Sequence, residues 1–290
     1  MILVTSANGK TARHIIPLLL SKGRQVRALS RHLPAEPTNG VEAIAGDMND
    51  PAVLARCVDG VEAVIHIGPT FHPREAEMGT ALINAARDAQ TPRFVYMSVI
   101  HPQIDDLVNH QNKLRVESHL VHMRMDWTIL QPQHYMQNVD VRRAVADRFV
   151  ALPYSEERRL GFVDIADVAE VAAKVVTEEG HRWATYEIAA GEHLSTRDIG
   201  AIIGAVSGVN INVGRLNPGE VIEWFGKGKD RDAFDDRSAN ALYRLFAYYD
   251  RYGITGNGNV LRWLLGRPAT TFSAYCARQL AQGPKTDGHR

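Results

Sequence analysis

Short β-branched runs alternate with longer stretches of helical periodicity through the first half of the chain, and this rhythm predicts strands and helices in succession. The strand candidates fall at residues 2–5, 25–29, 41–45, 63–67, 93–98 and 127–131. Helices fit between them at 10–22, at 51–58 where Asp50-Pro51 forms the start signal, at 73–89 and at 106–123. Helical crossovers between such strands predict an α/β fold built on a doubly wound parallel sheet (Rossmann), because right-handed connections wind helices onto both faces.

After Pro132 the rhythm changes. Phe162-Val163-Asp164, the helical stretch 165–177 and the strand 185–189 predict a return of the chain to the sheet. The remainder has the pattern of a smaller, mainly helical region. Ser195 and Asp198 stand at capping-box spacing, Ile199, Ile202, Ile203 and Val206 share one face, and Gly208 is the stop. Further helices are predicted at 238–252, ended by Gly253, and at 260–265, ended by Gly266 and Pro268, with a polar frayed end at 283–290.

Composition removes whole classes of function. The 290 residues carry 33 Lys+Arg against 33 Asp+Glu, without the clustered basic surface of a nucleic-acid binder. No apolar run approaches the roughly 20 residues of a membrane span; residues 15–20 are cut by Pro17. Cys57 and Cys276 are too few for a disulfide framework, and the chain opens directly in a strand, so a cytoplasmic protein is expected. Seven of the 12 histidines lie between His66 and His134, yet none forms a ligand set with carboxylates or thiols, and no metal is expected.

Chemistry enters at the first turn, Ser6-Ala7-Asn8-Gly9-Lys10-Thr11-Ala12, between the first strand and the first helix. A dinucleotide pyrophosphate needs a tight turn, close backbone approach and a helix N-terminus, which small residues around Gly9 allow. A plain βα turn of small residues is the alternative. The second strand ends Ser30-Arg31-His32 with no acid. A carboxylate there would bind the ribose hydroxyls of NAD, whereas the Arg31 guanidinium suits a 2′-phosphate, so NADP(H) is the expected cofactor. A solvated surface arginine is the competing explanation.

Thr5 to Ala12, Gly46-Asp47, Arg93-Phe94-Val95-Tyr96-Met97-Ser98, the helix with Lys113 and Glu117, Asp126 to Pro132 with Tyr135-Met136-Gln137-Asn138, and Phe162 to Ala169 form an ordered set over about residues 1–190. That set resembles the NmrA-like family of atypical short-chain dehydrogenases. The resemblance implies a dinucleotide-binding domain at 1–132 and 162–190 and a substrate domain at 133–161 and 191–290. It implies cofactor contacts from Thr5, Ser6, Asn8, Gly9, Lys10, Thr11, Arg31, Asp47, Met48, Gly68, Pro69, Ser98, Lys113 and Pro132. Family members include quinone reductases, secondary-metabolite reductases and a redox-sensing regulator without catalysis.

Short-chain dehydrogenases usually carry Tyr-x-x-x-Lys after the fifth strand, and here that spacing reads Asn109 to Lys113. With Leu107, Leu114 and Val121 taken as the buried face, His110 points the same way and becomes the candidate proton donor beside Lys113. A packed histidine that only satisfies a neighbour is the bland alternative. Phe71, His72 and His101 follow the fourth and fifth strands, and with Tyr135 and Asn138 they form the expected substrate rim. An aromatic surplus in the C-terminal half favours a flat, apolar ligand. The expectation is an NADPH-dependent reductase of a small, largely apolar carbonyl, quinone or imine compound. A non-catalytic NADP(H) sensor or scaffold, and a non-redox isomerase or cyclase, stay open because the tyrosine is absent.

Overall fold

The computed structural model describes residues 1–33, 37–227, 229 and 232–282; the end expected to fray, 283–290, lies outside them. The first half runs β1 (Ile2–Val4), α1 (Ala12–Ser21), β2 (Val26–Ser30), β3 (Val41–Ala45), α2 (Pro51–Val58), β4 (Ala63–Ile67), α3 (Glu75–Asp88), β5 (Arg93–Met97), α4 (Val108–His122) and β6 (Asp126–Pro132). The second half runs β7 (His134–Tyr135), α5 (Val141–Asp147), β8 (Phe149–Leu152), β9 (Leu160–Val163), α6 (Ile165–Thr177), β10 (Ala184–Ile188), β11 (His193–Leu194), α7 (Thr196–Ser207), β12 (Asn212–Arg215), α8 (Pro218–Gly226), α9 (Asp236–Tyr252), α10 (Asn259–Leu265) and α11 (Phe272–Ala281).

Among the described residues the main sheet has seven strands in the order β10-β6-β5-β4-β1-β2-β3, with every pairing parallel. This is a doubly wound sheet whose order reverses at β1 and β4, the place where such folds open a ligand crevice. Strand alternation sorts the core. Ile2 and Val4 join Ile65 and Val95 under α1 and α6, while Leu3, Val64 and Phe94 face α2, α3 and α4. A third cluster, including Phe162, Ile199, Phe246 and Phe272, holds the C-terminal elements together.

Two expectations need correction. Phe162 and Val163 lie in β9, which pairs with β7 and β11 in a separate small sheet, and only β10 returns to the main sheet beside β6. A Cβ at Gly161 would fall 1.6 Å from Gln133 Nε2, so the missing side chain lets β9 lie against the β6–β7 corner. The C-terminal region is mainly helical, as expected, running from α7 to α11, and the short strands β8 and β12 add a further pair to it. Strands of two to four residues are too short to show a period.

The second correction concerns α4. Its buried residues are Asn109, His110, Lys113, Val116, Glu117 and Leu120, whereas Leu114 is half-buried and Val121 is 50% exposed. The helix turns its polar residues inward, where groups from other elements meet them.

Candidate functional site

The turn after β1 is shaped by backbone. Ser6 sits at φ +50°, its carbonyl accepts from the Gly9 N–H (2.7 Å), and the Ala7 N–H donates to the Leu29 carbonyl (3.0 Å). A Cβ on Gly9 would lie 3.0 Å from the Ser6 oxygen. Thr11, the residue before α1, makes no side-chain cap, so this helix N-terminus is open to an anion. Small side chains and an open helix end fit the pyrophosphate of a dinucleotide.

Side chains around the turn fix it in place. The Thr5 hydroxyl is fully buried and bonded to the Ile67 N–H (2.9 Å), the Ile67 carbonyl (3.1 Å) and His66 Nδ1 (2.9 Å). Ser6 Oγ donates to the same Ile67 carbonyl (2.7 Å). Both hydroxyls therefore tie β1 to β4, and they position the turn rather than present themselves to a ligand. Asn8 Nδ2 donates to the His32 carbonyl (2.9 Å), which also receives Ser30 Oγ, and so holds the β2 tip that carries exposed Arg31. Lys10 is exposed, with its carbonyl bonded to His14 Nδ1 (2.9 Å).

Beyond β3, the exposed Asp47 carboxylate accepts from the Asn49 backbone (2.8 Å) and side chain (3.0 Å), and Met48 packs on the α2 side of the core. Burial lowers the His72 pKa, and Asp47 and Arg31 both lie close enough for their charges to act on it. His72 also serves α3, its Nδ1 accepting the Arg74 N–H (3.0 Å).

The β4–β5 end is built differently, from buried side chains. Lys113 Nζ donates to Glu75 Oε1 at 2.8 Å, with side-chain exposures of 6% and 1%. Glu75 is the first residue of α3, and a Cβ at Gly68 would lie 3.0 Å from its Oε1, so the Gly68 backbone rests on the carboxylate. Lys113 also stands 5.8 Å from the centroid of Tyr96, which stacks on His66. Burial and the nearby Lys113 drive His66 down to about 3. Glu117 receives Gln131 Nε2 on both oxygens (3.0 and 3.2 Å), and burial raises its carboxyl. Ser98 Oγ is buried beside Glu117 without a well-formed hydrogen bond. The Pro132 carbonyl accepts from Ile100, and the Pro69 carbonyl from His72.

His110 is not poised as the expected acid. It is fully buried, and desolvation lowers it to about 4, so the ring is neutral near pH 7. The His101 carbonyl can only accept, which places the one ring proton on Nδ1 (2.9 Å) and leaves Nε2 to accept from the Tyr249 hydroxyl (3.1 Å). Its proton is thus committed to the backbone. His101 itself sits at φ +51° and donates from Nε2 to the Thr255 carbonyl (2.7 Å).

On the expected rim, Phe71 has φ +65° and meets Phe225 of α8 edge-on at 5.8 Å; Phe225 meets Phe234 at 5.3 Å. Lys229 Nζ lies 3.4 Å from the Phe225 centroid. The Tyr135 hydroxyl reaches Thr11 at the head of α1, and burial pushes it up to about 12. Asn138 is exposed in the single turn Met136–Asn138. Glu75 and Tyr249 were missed from sequence, since an acid in a first helical turn ordinarily reads as a dipole partner and a tyrosine in an amphipathic helix as packing.

A model of the NmrA-like family matches residues 1–275. Over 290 residues the chain is 26% identical to an NAD(P)H azoreductase of Xenophilus azovorans, spanning 97% of this chain and 98% of that one. A crystal structure of an NADPH-dependent quinone oxidoreductase from Escherichia coli, complexed with NADPH, matches with a TM-score of 0.77 at 22% identity, over 97% of this chain and 100% of the other. The Citrobacter sp. triphenylmethane reductase complexed with NADP(H) matches at 0.76 and 22%, over 96% and 99%.

Proposed function

This chain belongs to the NmrA-like family, and on that premise we propose that it is an NADPH-dependent reductase of flat, conjugated, largely apolar acceptors of the quinone or dye type. The observation that carries the reading is the open, glycine-bearing turn at the head of α1, with an arginine in place of an acid at the neighbouring β2 tip. The turn seats the pyrophosphate, Arg31 meets the 2′-phosphate, and the nicotinamide half runs toward the ends of β4 and β5, where Gly68, Ser98 and Lys113 lie. Bound there, NADPH supplies a hydride.

The protein's own groups orient and shield. Gly68 and Pro69 give backbone contact, Lys113 supports the ribose side, and Phe71, Phe225 and Phe234 offer aromatic faces to a planar acceptor. His110 holds the Tyr249 hydroxyl rather than donating a proton, so quinone- or azo-type acceptors, which take their protons from water after hydride arrives, suit this site better than an unactivated ketone.

NADPH oxidation measured against quinones, azo dyes, triphenylmethane dyes and simple ketones tests the proposal, with activity expected on the first three. Tight NADPH binding with no oxidation by any of them would replace the reductase with a cofactor sensor. Turnover of a substrate without cofactor consumption would point instead to an isomerase.

A further inference from the structure

Resting on the placement of the nicotinamide half described above, we infer that Glu75 is a positioning residue: through its ion pair it cancels the Lys113 charge beneath the nicotinamide and thereby sets the protein's preference between oxidised and reduced cofactor. The pair is almost sealed from solvent, with the carboxylate 1% and the ammonium 6% exposed at 2.8 Å. It joins the first residue of α3 to the inward face of α4, and the Gly68 backbone lies directly on Glu75 Oε1. The dinucleotide is anchored at Gly9 above β1 and at Arg31 above β2, so its other end must pass over Gly68 and the pair.

Among the described residues Glu75 is the acid that pairs directly with the lysine. Glu117, one turn along α4, lies near enough for its charge to act on Lys113, but both of its oxygens are engaged by the Gln131 amide. His66 is neutral, and Tyr96, whose ring faces Lys113, is kept protonated by burial. Tyr96 OH, Asn109 Oδ1 and Glu75 Oε2 are buried without partners, so little else screens the ammonium. Glu75 is its counter-charge.

The nicotinamide ring carries a positive charge when oxidised and none when reduced. A neutral pair beneath it leaves the two forms evenly treated, whereas a lone ammonium disfavours the oxidised form. At separations of about 8 Å and an effective dielectric near 20, that bias is roughly tenfold or more in relative affinity.

The test is to titrate purified wild type, Glu75→Gln, Gly68→Ala and the Glu75→Gln/Lys113→Met double variant with NADP⁺ and NADPH separately near neutral pH, reading the ratio of the two dissociation constants, with thermal melts of the unliganded proteins alongside. Glu75→Gln should weaken NADP⁺ relative to NADPH by about tenfold. Gly68→Ala, which pushes the carboxylate away, should shift the ratio in the same sense by less. Removing both charges should bring the ratio back toward wild type. A merely structural Glu75 would lower the melting temperature and weaken both forms equally, and an unchanged ratio in Glu75→Gln overturns the inference. Should that variant fail to fold, an unchanged ratio in Gly68→Ala overturns it. Failure of the reading on which this rests is distinct: wild type would bind neither nucleotide if the cofactor site is absent, and would bind NADPH without oxidising it if the protein is a sensor.

Discussion

The two ends of the crevice solve the same problem with different materials. At β1–β2 the site is made of backbone: a positive-φ serine, one glycine and an uncapped helix, with Thr5, Ser6 and Asn8 acting as ties behind it. At β4–β5 it is made of side chains buried against one another, Glu75 with Lys113, Glu117 with Gln131, and His110 with Tyr249. A backbone cradle depends on what is absent from a few consecutive positions. A side-chain cluster depends on partners 38, 14 and 139 residues apart. The first should therefore break sharply and locally, and the second should fail through its charges and its stability.

The sharpest break is Gly9→Val. Its Cβ would meet the Ser6 oxygen at 3.0 Å and occupy the approach to the helix end. Losing two charge-assisted backbone contacts at about 1.5–3 kcal/mol each predicts a loss of NADPH affinity of roughly 100-fold or more. Asn8, Gly9 and Lys10 are exposed, so the melting temperature should change little. Calorimetric titration showing wild-type affinity in a folded Gly9→Val protein would mean that the turn is only a corner.

The same contrast explains what was legible in the sequence. Ser6 to Ala12 and Arg31 announce themselves because a strand, a small-residue turn and a helix follow in order, and the physics of anion binding needs nothing from elsewhere. The strands of the main sheet were legible for a related reason, since all but β1 are runs of five to seven residues set between helical stretches. The inward face of α4 was not. Periodicity assigns Leu107, Leu114 and Val121 to the core, but Lys113 and Glu117 are buried because Glu75 and Gln131 compensate them, and compensation by distant residues leaves no local pattern. Likewise β9 lies against the β6–β7 corner, where Gly161 leaves room for Gln133, a contact between two segments with no shared motif.

The side-chain end should reveal itself through acid. Burial holds His66 at about 3 and both His110 and His134 at about 4, against an ordinary 6.5. Below that ordinary value the unfolded chain binds protons that the folded protein refuses, so stability is complete above about pH 6.5 and is lost as pH falls toward 4. Each such histidine contributes about 1.4 kcal/mol per pH unit across that window. His134 is packed among Phe162, Tyr154 and Tyr249, so His134→Leu should flatten the slope by one proton's worth. Denaturant midpoints at several pH values measure this, and an unaltered slope would deny the histidine its neutral, buried state.

Back at the backbone end, Arg31→Ala sharpens the comparison because the arginine is the one side chain there expected to touch the ligand directly. Its loss should weaken NADPH by about tenfold while leaving NADH nearly unchanged, as one charge-assisted contact to a phosphate is removed. Equal weakening of both nucleotides would move Arg31 from recognition to support of the β2 tip.

The smallest effect on turnover should come from the residue that sequence spacing made most attractive. A general acid needs a proton free to leave, and His110 has one, held by the His101 carbonyl, while its other nitrogen accepts from Tyr249. His110→Ala should cost about 1–3 kcal/mol of stability, because the Tyr249 hydroxyl loses its buried acceptor. Its effect on quinone reduction should stay far short of the roughly 100-fold or greater loss that follows removal of a general acid. Tyr249→Phe, which removes the donor and keeps the ring, should likewise leave hydride transfer nearly intact. Single-turnover oxidation of bound NADPH in both variants decides the matter. A large loss of rate in His110→Ala at temperatures where the variant is fully folded would show that the pair moves protons and does more than pack α4 against α9.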